Sequence, residues 1–200
     1  IGVVAAMTMP FVTSKIEKQV LRTQFMKQYR NITATRQEME AENGSIINCY
    51  ITYPPFLSED SECESFWDNF FKKNKVIKTC NYGTEGCSPI YKTGQEVVNS
   101  GGIRNSTVRS LGDLPAKVYV LADGVILYIP TENWNKNRFF VDINGFKGPN
   151  KYGYDMFPMI LHKNSSKLTD VPYPIWEKGG RRVKNMLLNN DIVNNSLFSE

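Results

Sequence analysis

The first 42 residues of this chain are predicted to form one long helix, and this feature constrains the fold more than any other. Apolar residues from Phe11 to Met39 recur mostly at steps of three or four, which is the periodicity of an amphipathic helix. The pair Asn43-Gly44 is a typical helix end. Such a helix would be roughly 63 Å long. A domain of this size cannot cover it along its whole length, so we expect one half to protrude.

The beginning of the helix differs from the rest. Residues 1–10 carry no charge, whereas Lys15, Glu17 and Lys18 follow closely. Nine apolar or small residues span only about 14 Å as helix, and a bilayer core needs roughly 20 residues. The segment also lacks an initiating methionine and the basic region of a signal peptide. We therefore expect it to be the truncated remainder of a longer apolar segment; an ordinary buried helix end is the alternative.

Two stretches resemble type IV pilins and type II secretion pseudopilins. Residues 1–10 are similar to the second half of the prepilin-type N-terminal segment, with Gly2 and Pro10 where that family has its glycine and its helix-loosening proline. Residues 140–157 resemble the Asp-x-Asn-Gly, Gly-Pro-Asn and Gly-x-Asp-x-Phe pattern of many bacterial pilin-like proteins. The family's cleavage site and its nearby glutamate are not in this sequence, so they cannot be assigned.

The resemblance implies an α+β, pilin-like fold, in which a long N-terminal α-helix packs on a roughly four-stranded antiparallel β-sheet. Residues 1–25 would be the protruding half of the helix. Residues 26–200 would form the globular head, with a disulfide-braced insertion at about 45–115. Pro10 lacks a backbone N–H and clashes with the preceding turn, so we expect a kink or a short unwound stretch there.

The same resemblance implies a structural subunit of a pilus or a secretion pseudopilus, and not an enzyme. The apolar segment would hold the subunit in the bacterial inner membrane as a single pass. A prepilin peptidase and an assembly platform would then release it into a filament in the periplasm or at the cell surface, beside copies of itself and other pilin-like subunits. A DNA-capturing or adhesive minor pilin-type binding module is the alternative. The predicted membrane and filament segment consists of Ile1, Gly2, Val3, Val4, Ala5, Ala6, Met7, Met9 and Pro10.

The remaining elements are predicted from turn residues and periodicity. Ser61 is a good cap for a second helix, whose aromatic face is expected to pack on the sheet. Asp123-Gly124 separates two apolar runs, which predicts a β-hairpin. Glycines punctuate residues 88–115 and predict an irregular region. The predicted helices are 61–79, 105–111 and 181–189, and the predicted strands are 117–121, 125–129, 138–143 and 155–161.

The four cysteines are predicted to form disulfides. They contain no close pair of the Cys-x2-Cys kind that zinc sites usually show, and an even number outside the cytosol favours disulfide bonds. Four cysteines allow three pairings. We favour Cys49–Cys63 and Cys80–Cys87 because each closes a loop rich in turn-forming residues; four reduced, buried thiols are the alternative.

The best candidate ligand site is the turn between the last two predicted strands. Asp142, Asn144 and Asp155 offer the hard oxygen ligands that calcium takes in flexible geometry, and some secretion pseudopilins bind calcium near this end of the fold. The alternative is that these side chains cap turns through the backbone. No other cofactor is indicated. His162 is the sole histidine, so no catalytic residues are assigned. The cations are scattered and the net charge is +4, so no specific nucleic acid is expected as a partner.

Overall fold

The computed structural model describes residues 2–44, 49, 51–52, 56–57, 62–104, 109–132, 138–162, 165–170 and 175–188. Within these ranges, side chains are described from residue 16 onward, except at 51–52, 56–57, 162 and 165–170. The chain is α+β, as predicted. The side chains of the predicted membrane and filament segment, Ile1 to Pro10, lie outside the described part.

Helix α1, Gly2–Asn43, agrees with the sequence periodicity. It ends at Asn43, and the following Gly44 has a φ of +68°, which side-chain-bearing residues rarely adopt. The helix continues through Pro10 without a break, so the unwound stretch predicted at that proline is not found. Within the residues that the structure describes, none of the helices combines the length and the hydropathy needed to cross a bilayer.

The burial of α1 changes along its length. Residues 16–20 are all exposed. Further along, Phe25, Ile32 and Met39 are buried, and their seven-residue spacing keeps them on one face of the helix. The helix therefore docks on the rest of the chain through its C-terminal half.

A six-stranded antiparallel sheet forms the centre of the molecule, with the strand order β3-β5-β6-β7-β8-β9. All four predicted strands are present in it, as β5 to β8. The prediction of roughly four strands missed one strand at each edge, β3 and β9. The strands are β3, Val76–Asn81; β5, Ala116–Leu121; β6, Ile126–Pro130; β7, Arg138–Asp142; β8, Met156–His162; and β9, Ser165–Asp170.

Strand β3 replaces the end of the predicted second helix. Helix α2, Cys63–Lys73, is shorter than the predicted 61–79. The following residues include the β-branched Val76, Ile77 and Thr79, which fit a pleated strand better than a helix, and they pair with β5. The register shifts by a bulge between Val76 and Lys78. The strand lies inside the predicted insertion at 45–115, yet it belongs to the central sheet.

The smaller elements differ from the prediction in two places. Helix α3, Gly94–Asn99, lies in the region predicted to be irregular, and Thr93 and Glu96 form a capping box at its start. The predicted helix at 105–111 falls mainly on residues outside the described part. Helix α4, Val183–Leu188, lies within the predicted 181–189. Two further pairs of short strands are β1, Ile51–Thr52, with β2, Phe56–Leu57, and β4, Ile103–Arg104, with β10, Ile175–Trp176.

The sheet separates two apolar clusters because side chains alternate between its faces. Phe139 and Val141 of β7 point to the cluster that contains α1, α2 and α4. Phe140, between them, points to the second cluster, under the irregular region. The aromatic face of α2 packs on the sheet as predicted, with the ring centroids of Trp67 and Phe139 5.0 Å apart.

Candidate functional site

The two predicted disulfides are both present. Cys49 is bonded to Cys63, and Cys80 is bonded to Cys87, with Cα–Cα distances of 4.6 Å and 6.0 Å. Cys63 and Cys87 are completely buried. The first bridge ties the start of α2 to the segment after α1, and the second closes the turn that follows β3. The alternative of four reduced thiols is therefore not what the structure shows.

The predicted ligand residues of the β7–β8 connection do come together, but as turn-forming side chains. Asp142 ends β7, and its Oδ1 atom accepts hydrogen bonds from the backbone N–H groups of Asn144 (3.1 Å) and Gly145 (2.7 Å). Asp155 precedes β8. Its two carboxylate oxygens accept hydrogen bonds from the backbone N–H groups of Asn150 and Lys151, both at 2.7 Å. Both carboxylates are fully buried.

Calcium binding in this turn stays a prediction. The carboxylate oxygens of Asp142 and Asp155 already face hydrogen-bond donors. Among the three predicted ligand side chains, the amide oxygen of Asn144 is buried and has no hydrogen-bond partner. A calcium ion takes six to eight oxygen ligands. Among the described residues, no three His, Cys, Asp or Glu side chains are grouped to hold a metal ion. The alternative reading, in which Asp and Asn stabilise the turn through its backbone, fits the geometry.

A group of buried tyrosines includes the residue that contacts Asp142, and sequence reasoning missed it. The hydroxyl of Tyr91 donates a hydrogen bond to Asp142 Oδ2. The rings of Tyr128 and Tyr152 lie 5.9 Å and 5.7 Å from the ring of Tyr91. These tyrosines come from three separate parts of the chain, so only the folded chain brings them together around Tyr91, which contacts the carboxylate. The result is a polar cluster in an otherwise apolar layer.

The surroundings of Asp142 favour its protonated form. Burial raises its pKa from 3.8 to about 7, although the hydrogen bond from Tyr91 acts in the opposite direction. The negative charge of the nearby Asp155 raises the pKa further. Burial also raises the pKa of Asp155 itself. Asp142 is thus an acid that titrates near neutral pH inside the head.

This pKa predicts that the protein loses stability as the pH rises from about 4 to about 7. Asp142 binds its proton more tightly in the folded chain than in the unfolded chain, so the folded state carries more protons in this interval and deprotonation favours unfolding. We expect Asp142→Asn to remove most of the decline, because an amide keeps the acceptor for the turn and has no charge to desolvate. Urea denaturation at several pH values measures the slope.

Asp113→Asn is the matched control for this experiment. The pKa of Asp113 is lowered, because hydrogen bonds from Gly94 and Ser110 outweigh the effect of burial, which raises it. Its contribution to stability is therefore lost only at more acidic pH. The control should keep the decline between pH 4 and pH 7. An unchanged slope in the Asp142 variant would contradict the assignment.

A basic groove lies on the other side of the sheet, between α1, the α2–β3 connection and the β5–β6 turn. Its volume is about 940 Å³. We call this surface the basic groove. Its charged lining residues are five cations and one carboxylate, namely Arg22, Lys27, Arg30, Lys73, Lys75 and Asp123. Sequence patterns do not predict this groove, because its cations belong to two segments that lie more than 40 residues apart.

Asp123 closes one end of the basic groove by contacts to α1. Its Oδ2 atom accepts hydrogen bonds from Lys27 Nζ and from Gln28 Nε2, both at 2.8 Å. Burial alone would raise the pKa of Asp123, but these hydrogen bonds outweigh it and the pKa is lowered. The carboxylate therefore remains ionised at neutral pH, and it links the hairpin turn to the long helix.

The two sites differ in what they can do. The Asp142 cluster is buried, and the Asp142 carboxylate is bonded by its own turn and by Tyr91, so it contributes to the stability of the fold. The basic groove is open to solvent and is lined by cations, so it can bind anions. Comparisons with protein-family models, with curated proteins and with solved structures gave no match to this chain.

Proposed function

We propose that this chain is a pilin-like structural subunit, whose N-terminal helix joins a membrane and then a filament. The observation that carries the proposal is a change of burial along α1, which is buried against the rest of the chain from Phe25 onward and exposed at residues 16–20. Phe25, Ile32 and Met39 are buried against the head, whereas every residue from 16 to 20 is exposed.

The exposed stretch of α1 at residues 16–20 presents apolar side chains to solvent. Ile16 and Val20 are 54% and 50% exposed, and their spacing of four places them on one face of the helix. Ile16 lies nine residues before Phe25, which is about two and a half turns. The two side chains therefore lie on opposite sides of the helix, so the head that buries Phe25 does not cover Ile16.

A neighbouring subunit or a lipid bilayer would cover this face. The apolar residues at positions 1–9 precede it in the sequence, and both a bilayer and the interior of a helical bundle suit an apolar surface. In this proposal the partners are copies of the chain and other pilin-like subunits. The subunit would reside in the bacterial inner membrane before assembly, and in a filament in the periplasm or at the cell surface afterwards.

Replacing Ile16 and Val20 by aspartate tests the proposal. We expect the unaltered chain to self-associate as its concentration rises and the double variant to lose this association, because two charges on the exposed face oppose burial. A loss of at least about tenfold in the association constant, equal to about 1.4 kcal/mol, should be measurable by sedimentation velocity.

The matched control is Ile90→Asp with Val98→Asp. Ile90 and Val98 are also exposed, at 67% and 44%, but they lie outside α1. This variant should self-associate like the unaltered chain. Equal loss in the two double variants, or an unaltered chain that stays monomeric at every concentration, would count against the proposal.

A further inference from the structure

We propose that the basic groove binds a ligand that carries several linked phosphate groups. This goes beyond filament assembly, since it assigns a soluble anionic ligand to the head and to the docked half of α1. Five cations and one carboxylate give the basic groove a net charge of +4, and the formal net charge of the whole chain is also +4. The remainder of the chain is therefore balanced, and the excess positive charge is gathered in one concave surface.

Two of the five cations have no counter-charge among the described residues. Arg30 and Lys75 are exposed, and they face the basic groove from different walls, Arg30 from α1 and Lys75 from the connection between α2 and β3. An anion placed between them would contact both walls. Cations lining a concave surface also raise the local concentration of anions and speed their association.

The other three cations are engaged within the chain, two of them by carboxylates. Lys27 pairs with Asp123, and Lys73 pairs with Glu38, which does not line the basic groove. The guanidinium of Arg22 donates to the backbone carbonyl oxygens of Met186 and Leu187 in the last turn of α4, whose partial negative charge offsets only part of its full charge. Asp123 already occupies the carboxylate position beside Lys27 and Gln28. A ligand with several charges therefore fits the basic groove better than a ligand with a single carboxylate.

The chemistry of the cations favours phosphate. Arginine presents a planar fork that binds two phosphate oxygens at once, and lysine binds phosphate as a point charge. The volume of about 940 Å³ is far larger than one phosphate group needs, so a chain of linked phosphates suits it. Arg22 lies twelve residues beyond Pro10, roughly 18 Å along the helix. A membrane surface at the apolar segment would therefore not reach the basic groove, and this favours a soluble polyanion over lipid headgroups.

Fluorescence anisotropy with a fluorescein-labelled oligothymidylate tests the proposal on the full, disulfide-bonded chain. Long-chain inorganic polyphosphate serves as competitor, so that free polyphosphate and the nucleic-acid backbone can be told apart as sources of the phosphates. We expect binding at 50 mM salt, displacement by polyphosphate, and a steep loss of affinity at 200 mM salt. Preferential binding of one phosphate source over the other also supports the proposal and names the source.

The decisive variant is Arg30→Glu with Lys75→Glu. We expect it to weaken binding at least about tenfold and to reduce the slope of log affinity against log salt by roughly 1.4, since each contact to a single strand contributes about 0.7. Its control is Lys147→Glu with Lys178→Glu, which changes the net charge by the same amount at exposed positions outside the basic groove. The control should lose less than about twofold at a fixed salt concentration. Circular dichroism and thermal melting verify that both variants fold.

Several results would overturn the proposal. Equal losses in the two double variants would mean that only net charge matters. Displacement by polyglutamate as efficient as by polyphosphate would mean that phosphate is not the recognised group. Absence of binding to both probes at 50 mM salt, or binding to phosphatidylglycerol vesicles in place of them, would mean that the basic groove does not serve a soluble phosphate ligand.

Discussion

Replacing Phe25 by alanine is expected to lower the free energy of unfolding by about 3–5 kcal/mol, since this is the usual cost of deleting a large aromatic side chain from a packed core. Phe25 is fully buried, and its ring lies 4.8 Å from the ring of Phe157 in an edge-on arrangement. Urea denaturation monitored by tryptophan fluorescence measures the change, because Trp67 lies in the same apolar cluster.

The loss should be concentrated at the junction between α1 and the sheet. Phe25 belongs to the helix, and Phe157 belongs to β8, so their contact joins the two main parts of the fold. Removal of the ring leaves a cavity that surrounding side chains fill only in part. Hydrogen exchange should therefore speed up first in the docked half of α1, before the sheet itself opens.

Phe146→Ala is the control for this prediction. Phe146 is the same residue type but is 58% exposed, so its removal should change the free energy of unfolding by no more than about 0.5 kcal/mol. Similar changes for the two phenylalanines would show that Phe25 does not anchor the helix.

A comparably large effect is expected for Gly145→Ala, at about 3 kcal/mol of destabilisation. Gly145 has a φ of +63°, and an added Cβ would lie 2.2 Å from the carbonyl oxygen of Gly124. A side chain at positive φ costs roughly 1 kcal/mol. Forcing two backbone segments apart adds about 1–3 kcal/mol. The β7–β8 turn therefore packs against the β5–β6 turn through a contact that only glycine permits.

Gly86→Ala separates these two contributions. Gly86 has nearly the same φ, +66°, but an added Cβ would meet nothing within 4 Å. Its replacement should cost roughly 1 kcal/mol, from the backbone conformation alone. Thermal unfolding of the two variants measures the difference. Equal costs would mean that the contact between the turns is not tight.

Local patterns predicted the parts of the fold that depend on near neighbours in the sequence. The helix up to Asn43 follows from apolar spacing and its glycine stop, and the β5–β6 hairpin follows from Asp123-Gly124. Both disulfide pairings follow from the short loops that they close. Helix α3 also had a local signal that was missed, the capping box of Thr93 and Glu96.

The other features depend on distant partners and could not be predicted in this way. Strand β3 follows α2 closely, and its pairing with β5 decides between strand and helix. The turn residues Asp142 and Asp155 were predicted to lie together, but their donors are backbone N–H groups and the hydroxyl of Tyr91. The basic groove joins α1 to the α2–β3 connection, and no spacing within either segment indicates that the two will meet.

The irregular edge strand β3 has a consequence for how copies of the head behave when crowded. An exposed edge is a template on which a foreign strand could grow into a cross-β aggregate. Here the bulge between Val76 and Lys78 interrupts the regular spacing of backbone groups. The exposed side chains of Lys75 and Lys78 also repel the same strand of a second copy, which carries the same positive charges. This edge therefore resists amyloid-like stacking.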